Sequence, residues 1–214
     1  IKVVRMTIVG LIGKIGAGKT TVANLFRQHG AVVIDADALT HDALTDQRVQ
    51  EQIRTRFGAS VFMGNEIDRS RLAECVFGDQ PEQKNALKDL EGIIHPRVRK
   101  SLEERLEVIA QRDDHGVGKT VVVLDVPLLV QAGFHTRCDR LIRLECEDSV
   151  RHRRLAVRGL STEQVAAREE AWSQGFPDDL SSFRAVSTVD TSVDIAYTEN
   201  QIERLWEELT HDSS

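Results

Sequence analysis

The chain has 214 residues, 41% hydrophobic and 29% charged, with a formal net charge of −6; that length carries one α/β domain with a substantial core and a small inserted subdomain. The acidic balance argues against nonspecific binding to nucleic acid or to an anionic membrane, and no apolar run approaches the roughly 20 residues of a membrane span. One Tyr and two Trp leave little for base-stacking platforms, and the scattered Cys75, Cys138 and Cys146 form neither a disulfide framework nor a metal motif, which points to a reducing compartment such as the cytoplasm.

Ile1 to Met6 leads straight into a first strand with no signal-peptide pattern. Ile8 to Ile12 is nearly continuous apolar sequence, as expected of a central parallel strand covered on both faces. The chain then breaks into glycines. Gly13-Lys14-Ile15-Gly16-Ala17-Gly18-Lys19-Thr20 fits G-x-x-x-x-G-K-[ST], the P-loop, in the required context of strand, glycine turn and helix. Glycines let successive N–H groups point into one hollow, and the helix starting near Lys19 adds the positive end of its dipole. This reading makes Gly13, Ile15, Gly16, Ala17, Gly18, Lys19, Thr20 and Thr21 the residues that bind a nucleotide's phosphates, which the resemblance given below makes those of ATP. Lys19 brings a cation to the β- and γ-phosphates, and the Thr20 hydroxyl is placed to ligate Mg²⁺.

The first helix runs from Lys19 to about Gln28 and stops at His29-Gly30. Ala31-Val32-Val33-Ile34 is a second strand, ending in Asp35-Ala36-Asp37 and completing a right-handed βαβ unit. Carboxylates at the C-terminal end of a parallel strand sit beside the phosphate site. Asp35 is either an N-cap of the next helix or a cleft carboxylate; Asp37 is the candidate general base or Mg²⁺-water anchor.

Ala38 to Phe57 reads as a helix, Phe57 to Phe62 as a break, and Asp68 as the cap of a helix through Val76. A further helix runs from Glu82 towards Ile94. His95-Pro96 is expected to break it, with a new helix starting at the proline and placing Val98, Leu102, Leu106 and Ile109 on one face. An all-helical stretch this long is an inserted subdomain, the place for a second substrate. Its Arg69, Arg71, Arg97 and Arg99 either meet an anionic substrate or form a solvated face.

Gly116-Val117-Gly118-Lys119-Thr120 imitates the tail of a second P-loop, but it lacks the leading glycine and precedes a strand, so it reads as a loop. Thr120 to Leu124 is the third strand and ends at Asp125, a Walker-B-like carboxylate that reaches Mg²⁺ through water. Cys138 to Leu144 gives the fourth strand. Glu147 to Arg158 is a helix rich in arginine (Arg151, Arg153, Arg154, Arg158), and Ser161 with Gln164 forms a capping box for the next. These arginines either close over a nucleotide or form a solvated, salt-bridged face. Gly175 to Ser182 reads as a loop, Val186 to Asp190 as the last strand and Tyr197 to Leu209 as the closing helix, with His211 to Ser214 frayed.

The P-loop together with Val32-Val33-Ile34-Asp35-Ala36-Asp37, Ile94-His95-Pro96, Leu124-Asp125-Val126-Pro127-Leu128-Leu129 and Leu205-Trp206 resembles the dephospho-CoA kinase family over nearly the whole chain. The resemblance implies ATP-dependent phosphorylation of the ribose 3′-hydroxyl of dephospho-CoA, the last step of coenzyme A synthesis. It implies an α/β fold, a three-layer parallel sheet of P-loop kinase type, in one domain over 1–214. The core takes about 1–37, 117–146 and 184–214, a helical acceptor-binding insertion about 38–112, and a lid about 147–180. By the same resemblance Asp37 is the base, Lys19 and Thr20 serve phosphate and Mg²⁺, and Arg154 and Arg158 belong to the lid. ATP and dephospho-CoA are the implied partners, without nucleic acid or membrane, in a monomer or small homo-oligomer.

The chain departs from the family pattern at Lys14, where Gly is usual, at Arg158-Gly159-Leu160-Ser161, where an acidic residue usually follows the arginine, near Trp172, and at Val189-Asp190-Thr191 beside the adenine. Another small-molecule P-loop kinase and a catalytically silent nucleotide-binding module are the alternatives; an Asn-Lys-x-Asp guanine motif is absent.

Overall fold

The computed structural model describes residues 6–78, 80–113, 119–126, 129–130, 133–173, 183 and 185–211. In chain order the first elements are β1 (Thr7–Ile12), α1 (Lys19–Gln28), β2 (Val32–Asp35), α2 (Ala36–Thr45) and α3 (Gln47–Phe57). A short 3₁₀ turn leads to the strands β3 (Phe62–Met63) and β4 (Glu66–Ile67), then α4 (Arg69–Val76) and α5 (Pro81–Asp113). The remainder is β5 (Val121–Asp125), β6 (Arg140–Glu145), α6 (Asp148–Val157), α7 (Thr162–Ser173), β7 (Val186–Asp190) and α8 (Ile195–Thr210). The described residues fall into two compact units, one within Ile1–Asp35 and Ala110–Ser214, the other Ala36–Ile109.

In the first unit the main sheet has the order β2-β5-β1-β6-β7, with every pairing parallel. β1 is central, and all six of its residues are buried, which accounts for its unbroken apolar sequence. One face is covered by α1 and α8. Val22, Leu25 and Phe26 of α1 and Ile202, Leu205 and Leu209 of α8 share a core with Val9, Leu11, Val123, Ile142 and Val189 of the strands. Each such side chain contributes about 1.5–3 kcal/mol on burial. The parallel register brings Asp35 beside Asp125, and Glu145 beside Asp190, at the carboxyl edge where α/β sheets bind ligands.

The second unit corrects three expectations. The helix expected over Ala38 to Phe57 is two helices, because the Asp46 side chain accepts hydrogen bonds from the N–H groups of Arg48 and Val49 and caps α3. The break at Phe57 to Phe62 contains a 3₁₀ turn and opens an antiparallel hairpin of β3 and β4, so the insertion is not all-helical. His95-Pro96 does not end a helix: α5 runs 33 residues with Pro96 inside it. Ala86, Leu90, Ile94, Val98, Leu102 and Leu106 form one buried stripe at a spacing of four that passes straight through the proline. Pro96 and Gly92, the residue whose carbonyl loses its helical donor, are both exposed, so water can replace that bond. Asp68 caps α4 as expected.

Of the arginines named above in this insertion, Arg97 pairs with Asp46 at 2.8 Å, Arg71 with Asp68 at 3.2 Å, and Arg69 with His41. The Arg97 guanidinium holds the Asp46 carboxyl below its usual value. The Gly-Val-Gly of 116–118, Pro127-Leu128, the loop 175–182 and residues 212–214 lie outside the described residues.

Gly10 in β1 tests how closely the sheet is covered. A Cβ there would meet Cys138 Sγ at 2.7 Å, Leu141 Cδ2 at 2.9 Å and Leu129 Cδ1 at 3.0 Å. Gly10→Ala is expected to cost about 1–3 kcal/mol through overpacking, read as a lower urea midpoint at unchanged slope.

Candidate active site

The glycine loop is built from the ends of β1 and α1. Gly16 and Gly18 sit at φ 81° and 88°, the left-handed region where a side chain is strained. At Gly16 a Cβ would also press on Leu155 Cγ at 3.0 Å and the Arg151 carbonyl at 3.2 Å. These two positions therefore need glycine for different reasons at once: backbone conformation at both, and close approach to α6 at the first.

Every carbonyl from Gly13 to Gly18 accepts a hydrogen bond. Lys19 Nζ donates to Gly13 O at 2.7 Å, and the N–H of Ala17 to Lys14 O at 3.1 Å. Arg151 Nη1 donates to Ile15 O at 2.8 Å, and Arg154 Nη1 to Gly16 O at 3.5 Å. Thr191 Oγ1 donates to Ala17 O at 2.8 Å, and the N–H of Val22 to Gly18 O at 3.0 Å. A trans peptide carries its N–H opposite its carbonyl. With the carbonyls engaged, the N–H groups of Lys14, Ile15, Gly16, Gly18 and Lys19 lie on the other side of their peptides and are offered to an anion, together with the N-terminus of α1.

Lys19 is half-buried at the start of α1. Burial pulls its ammonium below the usual 10.5, and the nearby charge of Asp125 pulls it partly back. Thr20 and Thr21 are exposed in the first turn of the same helix. Asp125 ends β5 in register with Asp35, so the two carboxylates share the sheet edge beside Lys19. Asp35 is the last residue of β2 and directly precedes α2. Asp37 lies in the first turn of α2, at the opening of the second unit.

The arginines of α6 divide. Arg154 Nη2 donates to Thr191 O at 2.7 Å, so with its bond to Gly16 it joins the loop to the segment after β7. Arg158 is exposed at the end of α6. Arg151, taken from the sequence as one more arginine of a basic helix, is buried. The Ser161–Gln164 capping box of α7 forms in both directions, at 3.1 and 3.3 Å.

Thr191 was not expected to support the loop. It is only 4% exposed; its hydroxyl serves Ala17, and its N–H donates to Glu145 O at 2.8 Å. Only its position after the last strand hinted at a role. Gln201 grips Asp190 through both backbone groups, at 2.9 and 2.8 Å. The Asp190 carboxylate accepts from Ser192, which holds it below its usual value. A cleft of about 500 Å³ opens beside the loop, lined among others by Lys14, Cys146, Glu147, Trp172, Asp190 and Ser192.

A family model described as dephospho-CoA kinase matches residues 7–175. The dephospho-CoA kinase of Aquifex aeolicus is 34% identical over 207 residues, 95% of this chain and 98% of that one. That of Rhodopirellula baltica is 36% identical over 171 residues, 78% and 77% of the two chains. A Thermus thermophilus crystal structure superposes with TM-score 0.73 at 32% identity, covering 97% of this chain and all of that one. The dephospho-CoA kinase structure from Campylobacter jejuni, at 20% identity and TM-score 0.63 over 96% and 98% of the chains, shares the fold. With a family model over residues 7–175 and relatives above 30% identity along its length, the chain belongs to the dephospho-CoA kinase family.

Proposed function

We propose that the protein transfers the γ-phosphoryl group of ATP to the ribose 3′-hydroxyl of dephospho-CoA. The observation that carries the nucleotide half is the loop whose carbonyls are all engaged, which leaves amides, a helix N-terminus and the Lys19 ammonium for a triphosphate. Lys19 exchanges its bond to Gly13 O for phosphate oxygens, and Arg154 and Arg158 add positive charge as the nucleotide is covered by α6 and α7. Catalysis of this type is mostly positioning and charge neutralisation.

Residues Ala36–Ile109 hold the acceptor, and Asp37 at their start orients its hydroxyl and accepts its proton. The Thr20 hydroxyl, with Asp125 through water, forms an oxygen-only donor set, which suits a hard cation that keeps part of its water. These residues would hold Mg²⁺, which when bound neutralises charge on the β- and γ-phosphates. Among the described residues no helix is long and apolar enough to cross a membrane, and Cys75, Cys138 and Cys146 are free thiols. Burial, then the Asp139 charge, pushes the Cys138 thiol up to about 12, so it stays protonated. We place the enzyme in the cytoplasm, as a monomer or small homo-oligomer acting on small molecules.

Formation of CoA from ATP, Mg²⁺ and dephospho-CoA, followed by chromatography, tests the reaction directly; nucleosides and nucleoside monophosphates offered in parallel test the acceptor. Lys19→Ala is expected to lower kcat/KM by about two to three orders of magnitude at an unchanged circular dichroism spectrum. Asp37→Asn should reduce kcat by about 10²–10⁴ with little change in ATP affinity; normal turnover in that variant would remove the base from Asp37.

The depressed Lys19 pKa also fixes a pH dependence. Triphosphate favours the charged amine and raises its pKa on binding, so ATP binding takes up protons on the alkaline side. Affinity there falls with rising pH before the usual lysine value of 10.5 is reached. Calorimetry in buffers of different ionisation heat reads the uptake, which Lys19→Met should abolish.

A further inference from the structure

Arg151 is 2% exposed, the most enclosed charged side chain among the described residues. Its guanidinium is used on all sides. Nε and Nη2 donate to Asp148 Oδ1 at 3.1 and 2.6 Å, Nη2 also to Glu169 Oε1 at 2.5 Å, and Nη1 to the carbonyl of Ile15 at 2.8 Å. Burial alone disfavours this charge, but the two carboxylates outweigh it and hold the guanidinium pKa above its usual value. Asp148 opens α6 and Glu169 lies in α7, so one side chain joins both helices to the centre of the glycine loop.

The bond to Ile15 has a specific geometric effect. The peptide between Ile15 and Gly16 is followed by a glycine at φ 81°, a residue with no Cβ to resist rotation. Such a peptide can turn over with little steric cost. Turned over, it would present a carbonyl to an incoming phosphate in place of the Gly16 N–H. The neighbouring carbonyls are held by the loop's own lysine, by a turn, or by groups shared with the segment after β7; that of Ile15 is held by a cation which is itself fixed by two carboxylates.

We propose that Arg151 is a positioning residue. It locks the Ile15–Gly16 peptide with its N–H towards the phosphate, and through Glu169 it makes that lock depend on the docking of α7 against α6. Nucleotide affinity and the placement of α7 are then two readings of one equilibrium. The proposal rests on the reading of the loop as the polyphosphate site.

The test measures binding of inorganic tripolyphosphate and of ATP by calorimetry, with steady-state kinetics, for the unaltered chain and for Arg151→Met, Arg151→Lys and Glu169→Ala. Loss of a hydrogen bond from a charged donor predicts affinity for tripolyphosphate and ATP lower by about ten- to a hundredfold in Arg151→Met. The KM for ATP should rise while that for dephospho-CoA stays put. Arg151→Lys should recover part of the loss, since an ammonium can keep the Ile15 bond but not both carboxylates. Glu169→Ala should weaken both ligands in the same direction by at least about threefold, and it decides the matter should Arg151→Met not fold. A folded Arg151→Met, or a folded Glu169→Ala, that binds tripolyphosphate as tightly as the parent overturns the proposal, even with a lowered melting temperature, because that is the mark of a brace alone. Failure of the parent to bind either ligand would instead overturn the phosphate-site reading beneath it.

Discussion

The site depends on keeping backbone carbonyls away from an anion. A loop of successive peptides offers as many oxygens as amide hydrogens, and a phosphate is repelled by the first as strongly as it is drawn by the second. In this chain the oxygens from Gly13 to Gly18 are all occupied, by donors drawn from the loop itself, from α1, from α6 and from the residue after β7. The glycines permit the loop's shape, and the donors select it. Because a buried polar group left unpaired is costly, the same bonds that shape the anion site also hold the first unit together.

The sheet order is what makes those donors available. β6 and β7 lie on one side of β1 in parallel register, so the segments leaving their carboxyl ends, α6 and Thr191, emerge beside the glycine loop. β5 lies on the other side and delivers Asp125 near Lys19. A chain with net charge −6 thus gathers Lys19, Arg151 and Arg154 around a single turn. All three bond the protein's own backbone, and Arg151 bonds two carboxylates besides, so the local positive potential is built into the fold before any ligand arrives.

Much of this was legible in the residues. The apolar run into Gly13, the spacing to Lys19-Thr20 and the strand ending at Asp125 are local patterns, and the elements formed where those patterns lay. The capping pair Ser161 and Gln164 was equally local. Asp46 was hidden because a cap in the middle of a helical pattern looks like one more polar residue. Pro96 misled because proline is weighed by its own geometry, whereas the outcome was set by the unbroken apolar stripe on both sides of it and by the exposure of Gly92, whose carbonyl loses its helical donor. Arg151 and Thr191 were illegible in principle. Their partners, Ile15 and Ala17, are 136 and 174 positions away, and nothing in a run of arginines distinguishes one that faces inward.

The segment after β7 has a division of labour with an evolutionary corollary. The inward side of Thr191 is committed: its hydroxyl, N–H and carbonyl serve Ala17, Glu145 and Arg154 respectively. Asp190 and Ser192 on either side border the open cleft instead. On the proposed reading of the loop as the phosphate site and the cleft as the place of the base, drift in such a strip can rewrite what the protein shows to a base while the grip on phosphate is inherited intact, which gives a lineage room to alter its taste in nucleotides without first losing its chemistry.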